Sequence, residues 1–369
     1  MISKFKKPPL VGRFFVTIYQ RVFFMKKAFI SIANFFVKRR FFFQRLAMAI
    51  FTLFVTTILV FFVLKLTPGD VVFNYAQSLQ ARLGCDWEYA YSLATQTLGY
   101  DPNASVFVQL GGFFESLFRG EFGVSLYNDS ITGIKLIVQR LPWTLFISTI
   151  ALLISFVLGT ALGALMARKR NSWVESAGNS YIILASAIPD YLLGTLLLVA
   201  FASQLRIFPS NGNYDANLVT PGFNLPFIGN VIWHAALPII AYVISGTCNW
   251  TMLMRGNAIG VLGEDYILCA KARGISENRI INRYMKRNAM LPLVTSLALS
   301  FAGLFGGSAL MESVFNYPGL GLEFGTRIGM RDYFVVQGIL FFTSSIVILA
   351  NLVVDYLYSL LDPRVRRNG

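Results

Sequence analysis

Charge is scarce in this sequence: only 14% of its 369 residues are Asp, Glu, Lys or Arg, where soluble chains carry roughly a quarter. Too little polar surface is left to cover a water-exposed domain. Cysteine and histidine are scarcer still, at three and one, which excludes a disulfide scaffold and leaves no metal-ligand spacing. The phosphate-cradling pattern G-x-x-x-x-G-K-[ST] is missing, and the dipeptide Gly-Lys does not occur anywhere, so the chain is expected to bind no nucleotide of its own. What is present is apolar: 55% hydrophobic residues, 34 of them Phe, with a mean hydropathy of +0.59. That content rules out intrinsic disorder and points to an all-α integral membrane protein.

A helix needs about 20 apolar residues to cross roughly 30 Å of hydrocarbon. Six uncharged runs meet that length: Arg45 to Lys65, Arg140 to Arg168, Glu175 to Arg206 with Asp190 inside it, the later part of Asp215 to Arg255, Arg287 to Glu312, and Asp332 to Asp355. Blocks such as Leu152-Leu153-Ile154 do not alternate, which argues against a β-barrel.

Basic residues set the orientation, because short cytoplasmic segments hold the excess. With the N-terminus inside, 24 of the 32 Lys and Arg fall on the inner side and 7 on the outer, Lys65 sitting at the membrane edge. Both termini are therefore expected in the cytoplasm. The net charge of +14 reads as a topology and lipid-surface signal, and nucleic-acid binding is not expected. In this topology Cys85 lies outside, Cys248 within the bilayer and Cys269 in the cytoplasm, so no two of them can pair. His234 falls near the outer start of the fourth span, as an interfacial histidine.

Two segments outside the runs are informative. Residues 1–44 are basic and Phe-rich, with charges too frequent for a span; they read either as an interfacial amphipathic helix or as a tail. The outward segment from Thr67 to Arg140 carries 7 acidic and 4 basic residues and is long enough for helices of its own. It reads as a brace for the membrane part or as a docking surface for a soluble partner.

The strongest local signal lies between the fourth and fifth runs. Glu264 and Asp265 open a short helix and Lys271 and Arg273 close it, as the helix dipole favours. Gly274 follows where helices commonly stop in the left-handed conformation. Ser276 is placed to cap a second helix, expected to reach Asn288 before Pro292 opens the fifth span. Helices of about ten residues are marginal alone in water, so this helix, glycine, helix element is expected to be held by a partner.

Gly263 to Tyr266, Ala270 to Gly274, Arg287 to Ala289 and Leu291-Pro292 together resemble the EAA coupling motif of binding-protein-dependent ABC importer permeases. The likeness is closest to the oligopeptide, dipeptide and nickel branch (B-type subunit), with its Gly-Glu-Asp-Tyr, Ala-x-Ala-x-Gly, Arg-Asn-Ala and Leu-Pro elements. Further similar stretches are Leu64 to Asp70, Gly120 to Leu126, Arg140 to Leu145, Glu312 to Gly321, Arg331 to Tyr333 and Leu361 to Arg366, so the resemblance runs in order over residues 40–369. Two departures stand out: Leu268-Cys269-Ala270 replaces the opening Glu-Ala-Ala, so the Glu contact of sugar importers does not transfer, and Phe334 stands where the branch often has Pro. Residues 1–40 have no counterpart.

The resemblance implies a type I ABC importer transmembrane domain with six spanning helices, a non-catalytic permease subunit in a bacterial or archaeal cytoplasmic membrane. Its partners would be a second, paralogous permease, two ATPase subunits that bind ATP and Mg, an extracytoplasmic solute-binding protein, and membrane lipid. No cofactor is expected in this chain. The implied organisation is an N-terminal extension (1–44), a first transmembrane helix (45–65), an extracytoplasmic region (66–140), a core permease domain (141–362) with five spans and the coupling segment (257–290), and a cytoplasmic tail (363–369). Gly274 would be the hinge of the coupling element, Ala270 and Ala272 its small face toward the ATPase, and Glu264, Asp265, Lys271 and Arg273 its polar contacts. Peptides are the implied solute, with nickel chelates or oligosaccharides as alternatives within the same architecture. A secondary carrier or membrane-embedded enzyme would need several intramembrane ionisable groups, and only Asp190 is clearly one. That carboxylate, beside helix-bending Pro189, either lines the translocation path and holds a cationic group or is buried against neighbouring hydroxyls.

Overall fold

A computed structural model describes residues 40–66, 71–98, 104–119, 124–125, 128–306, 309–330 and 332–361. The basic Phe-rich segment up to residue 39 and the tail 363–369 lie outside the described residues, as do Thr67 to Asp70 and Arg331 of the family-like stretches. The chain divides into two compact units, Leu53–Val354 and a second made of Met1–Thr52 with Asp355–Gly369. Nearly all of the described helices belong to the first.

After helix α1 (Arg40–Leu66) come three short helices: α2 (Val71–Leu83), α3 (Trp87–Leu98) and α4 (Val106–Arg119). The segment from Thr67 to Arg140 thus has helices of its own. Tyr75, Ala76 and Leu79 of α2 pack on Ala90 and Ala94 of α3, with Phe73 against Trp87 at 4.9 Å between ring centroids. Phe113 and Phe114 of α4 meet Phe61 and Phe54 of α1. A two-stranded antiparallel ribbon, β1 (Val124–Ser125) and β2 (Asn128–Thr132), then turns the chain into the membrane part. Thr132 ends β2 and caps the next helix, its hydroxyl accepting from the Lys135 N–H.

The centre of the unit is a pair of long helices, α5 (Gly133–Arg168) and α8 (Leu225–Leu262), of 36 and 38 residues. At 1.5 Å per residue each is over 50 Å long, so both extend well beyond roughly 30 Å of hydrocarbon. They meet through small residues. A Cβ on Gly159 would lie 2.4 Å from Trp250 Cβ, and one on Gly163 would lie 2.5 Å from the Thr251 carbonyl oxygen. This Gly-x-x-x-Gly face lets the backbones approach closely, which replaces the missing hydrophobic drive for association in lipid. Asn224 caps α8, its side-chain oxygen accepting from Phe227 N at 2.8 Å.

Between them the third run is not one straight helix. Helix α6 (Trp173–Ala187) stops at Ile188, and α7 (Asp190–Leu197) begins after Pro189 and continues as a π-helical segment (Leu198–Gln204). The two parts are bent by 95°. Ile188 is extended (φ −103°, ψ 117°), as the residue before proline prefers, and Pro189 supplies no N–H to carry the ladder across. The expected bend is therefore a complete break.

Past α8 come α9 (Asp265–Ala272), a single turn α10 (Glu277–Arg279), a π-helical segment (Ile280–Met285) and α11 (Lys286–Gly303). Pro292 lies inside α11 rather than opening a new helix. The chain finishes with α12 (Ala309–Val314), α13 (Leu320–Gly329) and α14 (Tyr333–Leu361). Among the described residues four helices are long and apolar enough to cross a membrane, five if α6 and α7 form one span. This is a multi-pass membrane protein. The fifth uncharged run is the one that falls short: it divides into α11, which opens on Lys286-Arg287, a 3-10 turn (Leu304–Gly306) and the short α12.

Candidate coupling site

Helix α9 is fixed from both sides by its own chemistry. It ends in a Schellman turn: Gly274 N donates to Lys271 O at 2.9 Å and Ile275 N to Ala270 O at 3.2 Å. Gly274 sits at φ +70° with open space where a Cβ would stand, so the backbone angle alone asks for glycine. Beneath the turn Ile267, Ala270 and Ile280 form a small core, with Ile275 and Tyr284 packed against it. Arg168, the last residue of α5, donates to the Asn278 side-chain oxygen at 2.8 Å, and Asn288 donates to the Tyr266 hydroxyl at 3.1 Å. The first bond ties α10 to α5 and the second ties α9 to α11. Ser276 stands at the N-cap of α10 without a side-chain cap bond; its carbonyl accepts from Arg279 and Ile280 instead.

The outer face is open. Glu264, Asp265, Lys271, Ala272, Arg273 and Gly274 are exposed, with Leu268 at 57% and Tyr266 at 40%. Ala270 departs from its expected place on the small outer face: at 4% exposure it belongs to the inner core. One residue per turn of so short a helix must face the chain that carries it, and Ile267 and Ala270, at i and i+3, are that pair. Past the turn at Gly274, α10, the π-helical segment and α11 follow without a break, so residues 277–303 form one continuous helical piece. A second tie joins α6 to α8, where Glu175 accepts from Arg255 Nε at 3.2 Å and from the Asn171 N–H at 2.7 Å.

Asp190 lies at the elbow of the broken third run, as the first residue of α7, and its carboxylate accepts from Tyr191 N at 2.8 Å. A carboxylate at a helix N-terminus is favoured by the free N–H groups there. No hydroxyl among the described residues holds it. His234 is in α8, its Nδ1 2.8 Å from Asn230 O. No group of three His, Cys, Asp or Glu suited to a metal occurs among the described residues.

The opposite end of α5 carries a polar cluster that the sequence did not single out as a site. Glu312 of α12, 1% exposed, accepts from the Thr144 hydroxyl at 2.7 Å and from Leu322 N at 2.8 Å. Thr144 in turn accepts from Leu320 N at 2.8 Å. Gly319 lies against the carboxylate, and a Cβ there would come within 2.2 Å of Glu312 Cδ. Alongside, Arg327 bonds Glu323 at 2.8 Å and Asp332 at 3.1 Å, Ser125 donates to Asp332 at 2.6 Å, and Arg140 pairs with Glu323 at 3.2 Å. Burial pushes the Tyr317 hydroxyl far above its usual range, and the Glu312 charge adds to the effect. Four stretches separate in sequence, at Ser125, Arg140 to Thr144, Glu312 to Arg327 and Asp332, are thus joined by hydrogen bonds and ion pairs. The available signal was a lone Glu inside the apolar Leu310-Met311-Glu312-Ser313-Val314.

Residues 159–367 match the family described as binding-protein-dependent transport system inner membrane component. The chain is 32% identical to the glutathione transport system permease protein GsiC of Salmonella choleraesuis over 88% of its own length and 97% of the relative's. It is 31% identical to the dipeptide transport system permease protein DppB of Bacillus subtilis, covering 85% and 94%. With the oligopeptide transport system permease protein AppB of the same organism it shares 29%, covering 87% and 98%. A solved chain of an amino acid ABC transporter superposes with a TM-score of 0.45 at 17% identity, over 63% of this chain and 94% of that one.

Proposed function

Since the chain belongs to the binding-protein-dependent transport system inner membrane component family, we propose that it is one of two membrane subunits of a type I ABC importer that carries peptides across a bacterial cytoplasmic membrane. It is a transport subunit rather than an enzyme. A second permease, paralogous to this one, completes the path. Two ATPase subunits bind ATP and Mg in the cytoplasm, and an extracytoplasmic binding protein delivers the solute. Six spans follow if the bent pair counts as one and α11 as another, which leaves both termini in the cytoplasm, in line with the skew of Lys and Arg.

The observation that carries this reading is α9: an eight-residue helix, held by its own chain through Ile267, Ala270 and Ile280 and exposing Tyr266 and Leu268 at the basic end of the molecule. Such a patch is what a groove on an ATPase would bury, with Glu264, Asp265, Lys271, Ala272, Arg273 and Gly274 around it. Because Ile267 and Ala270 of α9 pack on Ile280 of the continuous helix that follows, closure of the ATPases would displace that helix, α11 included, as a body. Peptides as the solute are supported by the names of three relatives of nearly equal identity, for glutathione, dipeptides and oligopeptides. Their near-equality says that small peptides as a class, rather than one of them, is the level the likeness supports.

The test is purification of this chain from its native membrane in mild detergent with mass spectrometry of what accompanies it, followed by peptide uptake in vesicles. Two ATPases, a second permease and ATP-dependent uptake are expected. Recovery of the chain alone, with uptake insensitive to ATP depletion, would overturn the reading.

A further inference from the structure

A cavity of about 380 Å³ opens between α5, α8 and α11, within the size range of small-molecule sites, roughly 300–1,000 Å³. Its polar wall consists of Ser148 and Ser155 from α5, Tyr242 and Asn249 from α8, and Ser296 and Ser300 from α11, and no charged side chain lines it. Both long helices are membrane-crossing candidates, so the four groups from α5 and α8 sit on spanning helices. There a polar side chain is costly unless it faces protein or a water-filled space.

The hydrogen bonds already made define what the wall can still offer. Ser155 donates to Leu152 O at 3.0 Å, Ser296 to Pro292 O at 3.1 Å and Ser300 to Ser296 O at 2.9 Å. Their protons are committed to their own helices, as serines in apolar helices favour, so what these serines have left to offer is the lone pairs of their oxygens. Asn249 is exposed, and among the described residues its carboxamide has no hydrogen-bond partner, leaving a donor and an acceptor side by side. Lone-pair acceptors beside a free carboxamide complement the N–H and C=O of an amide. With no charged side chain beside them, they supply no ion pair to a carboxylate or ammonium group.

We infer that this cavity is a binding site for the backbone amides of a peptide in transit, recognised by neutral hydrogen bonds through Asn249 and the serine oxygens and not by the charges at its termini. The inference rests on the peptide-import reading and locates the solute in a different place from Asp190, which does not line the cavity. A wall of this kind is indifferent to side chains, which suits a path shared by peptides of many sequences.

The test uses the assembled importer in proteoliposomes, with Cys85, Cys248 and Cys269 replaced by Ser. Asn249→Cys, Ser300→Cys and Val157→Cys are made singly; Val157 lies on α5, 63% exposed and away from the cavity. A membrane-impermeant methanethiosulfonate carrying a sulfonate is the probe. Cys at 249 and 300 is expected to react at least about tenfold faster than Cys at 157, and a saturating transported peptide is expected to slow the reaction severalfold. Reaction no faster than at 157, or reaction that the transported peptide leaves unchanged, overturns the site. In an otherwise native chain Asn249→Leu is expected to lower peptide uptake about tenfold, one hydrogen bond's worth, and Asn249→Gln to restore most of it. Equal uptake by Asn249→Leu also overturns the site. Should the unmutated importer carry no peptide, the transport reading itself fails and the ligand assigned here falls with it, whereas unprotected labelling in an importer that does carry peptide removes the site alone.

Discussion

The two ends of α5 are built on opposite plans. At its start, Thr144 is enclosed with Glu312, Gly319 and Leu320 in a cluster where each hydrogen-bonding group named finds its partner inside the chain. At its end, Arg168 reaches one exposed side chain of a short helical element whose outer face is open. The difference teaches which surface is finished by folding and which is left open. A buried carboxylate demands complete satisfaction because its desolvation is otherwise unrecovered. An exposed helix face carries no such demand, since water satisfies its polar groups.

The comparison breaks most severely at the closed end. Glu312→Ala strands the Thr144 hydroxyl and the Leu322 N–H in a sealed site, and a loss of about 3 kcal/mol or more is expected, read as a lowered unfolding midpoint of the purified protein in detergent. Gly319→Ala forces a Cβ into the carboxylate and is expected to cost about 1–3 kcal/mol on the same measurement. A midpoint unchanged by either variant would mean that the cluster does not hold α12 and α13 to α5.

At the open end the effects move from stability to association. Gly274→Ala strains a left-handed residue by about 1 kcal/mol, and peptide-stimulated ATP hydrolysis is expected to fall while the unfolding midpoint changes little. Leu268→Lys lies on the exposed face, so stability is expected to change by less than about 0.5 kcal/mol, yet copurification of the ATPases should be lost. Retained copurification would separate α9 from the partner surface. The smallest effect belongs to the elbow: Asp190→Asn removes a charge at a helix N-terminus, worth about 0.3–1 kcal/mol, and peptide uptake is expected to stay near the unmutated rate. A severalfold loss confined to peptides with a free amino terminus would return Asp190 to the path.

Much of the helix, glycine, helix element was legible in the sequence because its signals are local. The opening Glu264-Asp265, the closing Lys271 and the left-handed Gly274 each depend on residues within five positions, and the structure places them in a Schellman-closed helix. Ala270 was not legible in the same way, since a small residue on a short helix suits an inner or an outer face, and only the position of Ile280 decides which. Pro189 announced a bend, but nothing local fixes its 95°.

By itself the sequence determined the membrane class, the places where long apolar helices form, the skew of basic residues and the helix, glycine, helix element. Hydropathy, charge and turn chemistry are sums over neighbours along the chain. Only the tertiary structure decided that Gly159 and Gly163 bring α5 against α8, that Glu312 is sealed by Thr144 from 168 residues away, and that serines of two helices share a cavity with Asn249 of a third. Burial and hydrogen bonding of that kind are properties of pairs, and the members of a pair distant in sequence carry no mark of each other until the backbone brings them together.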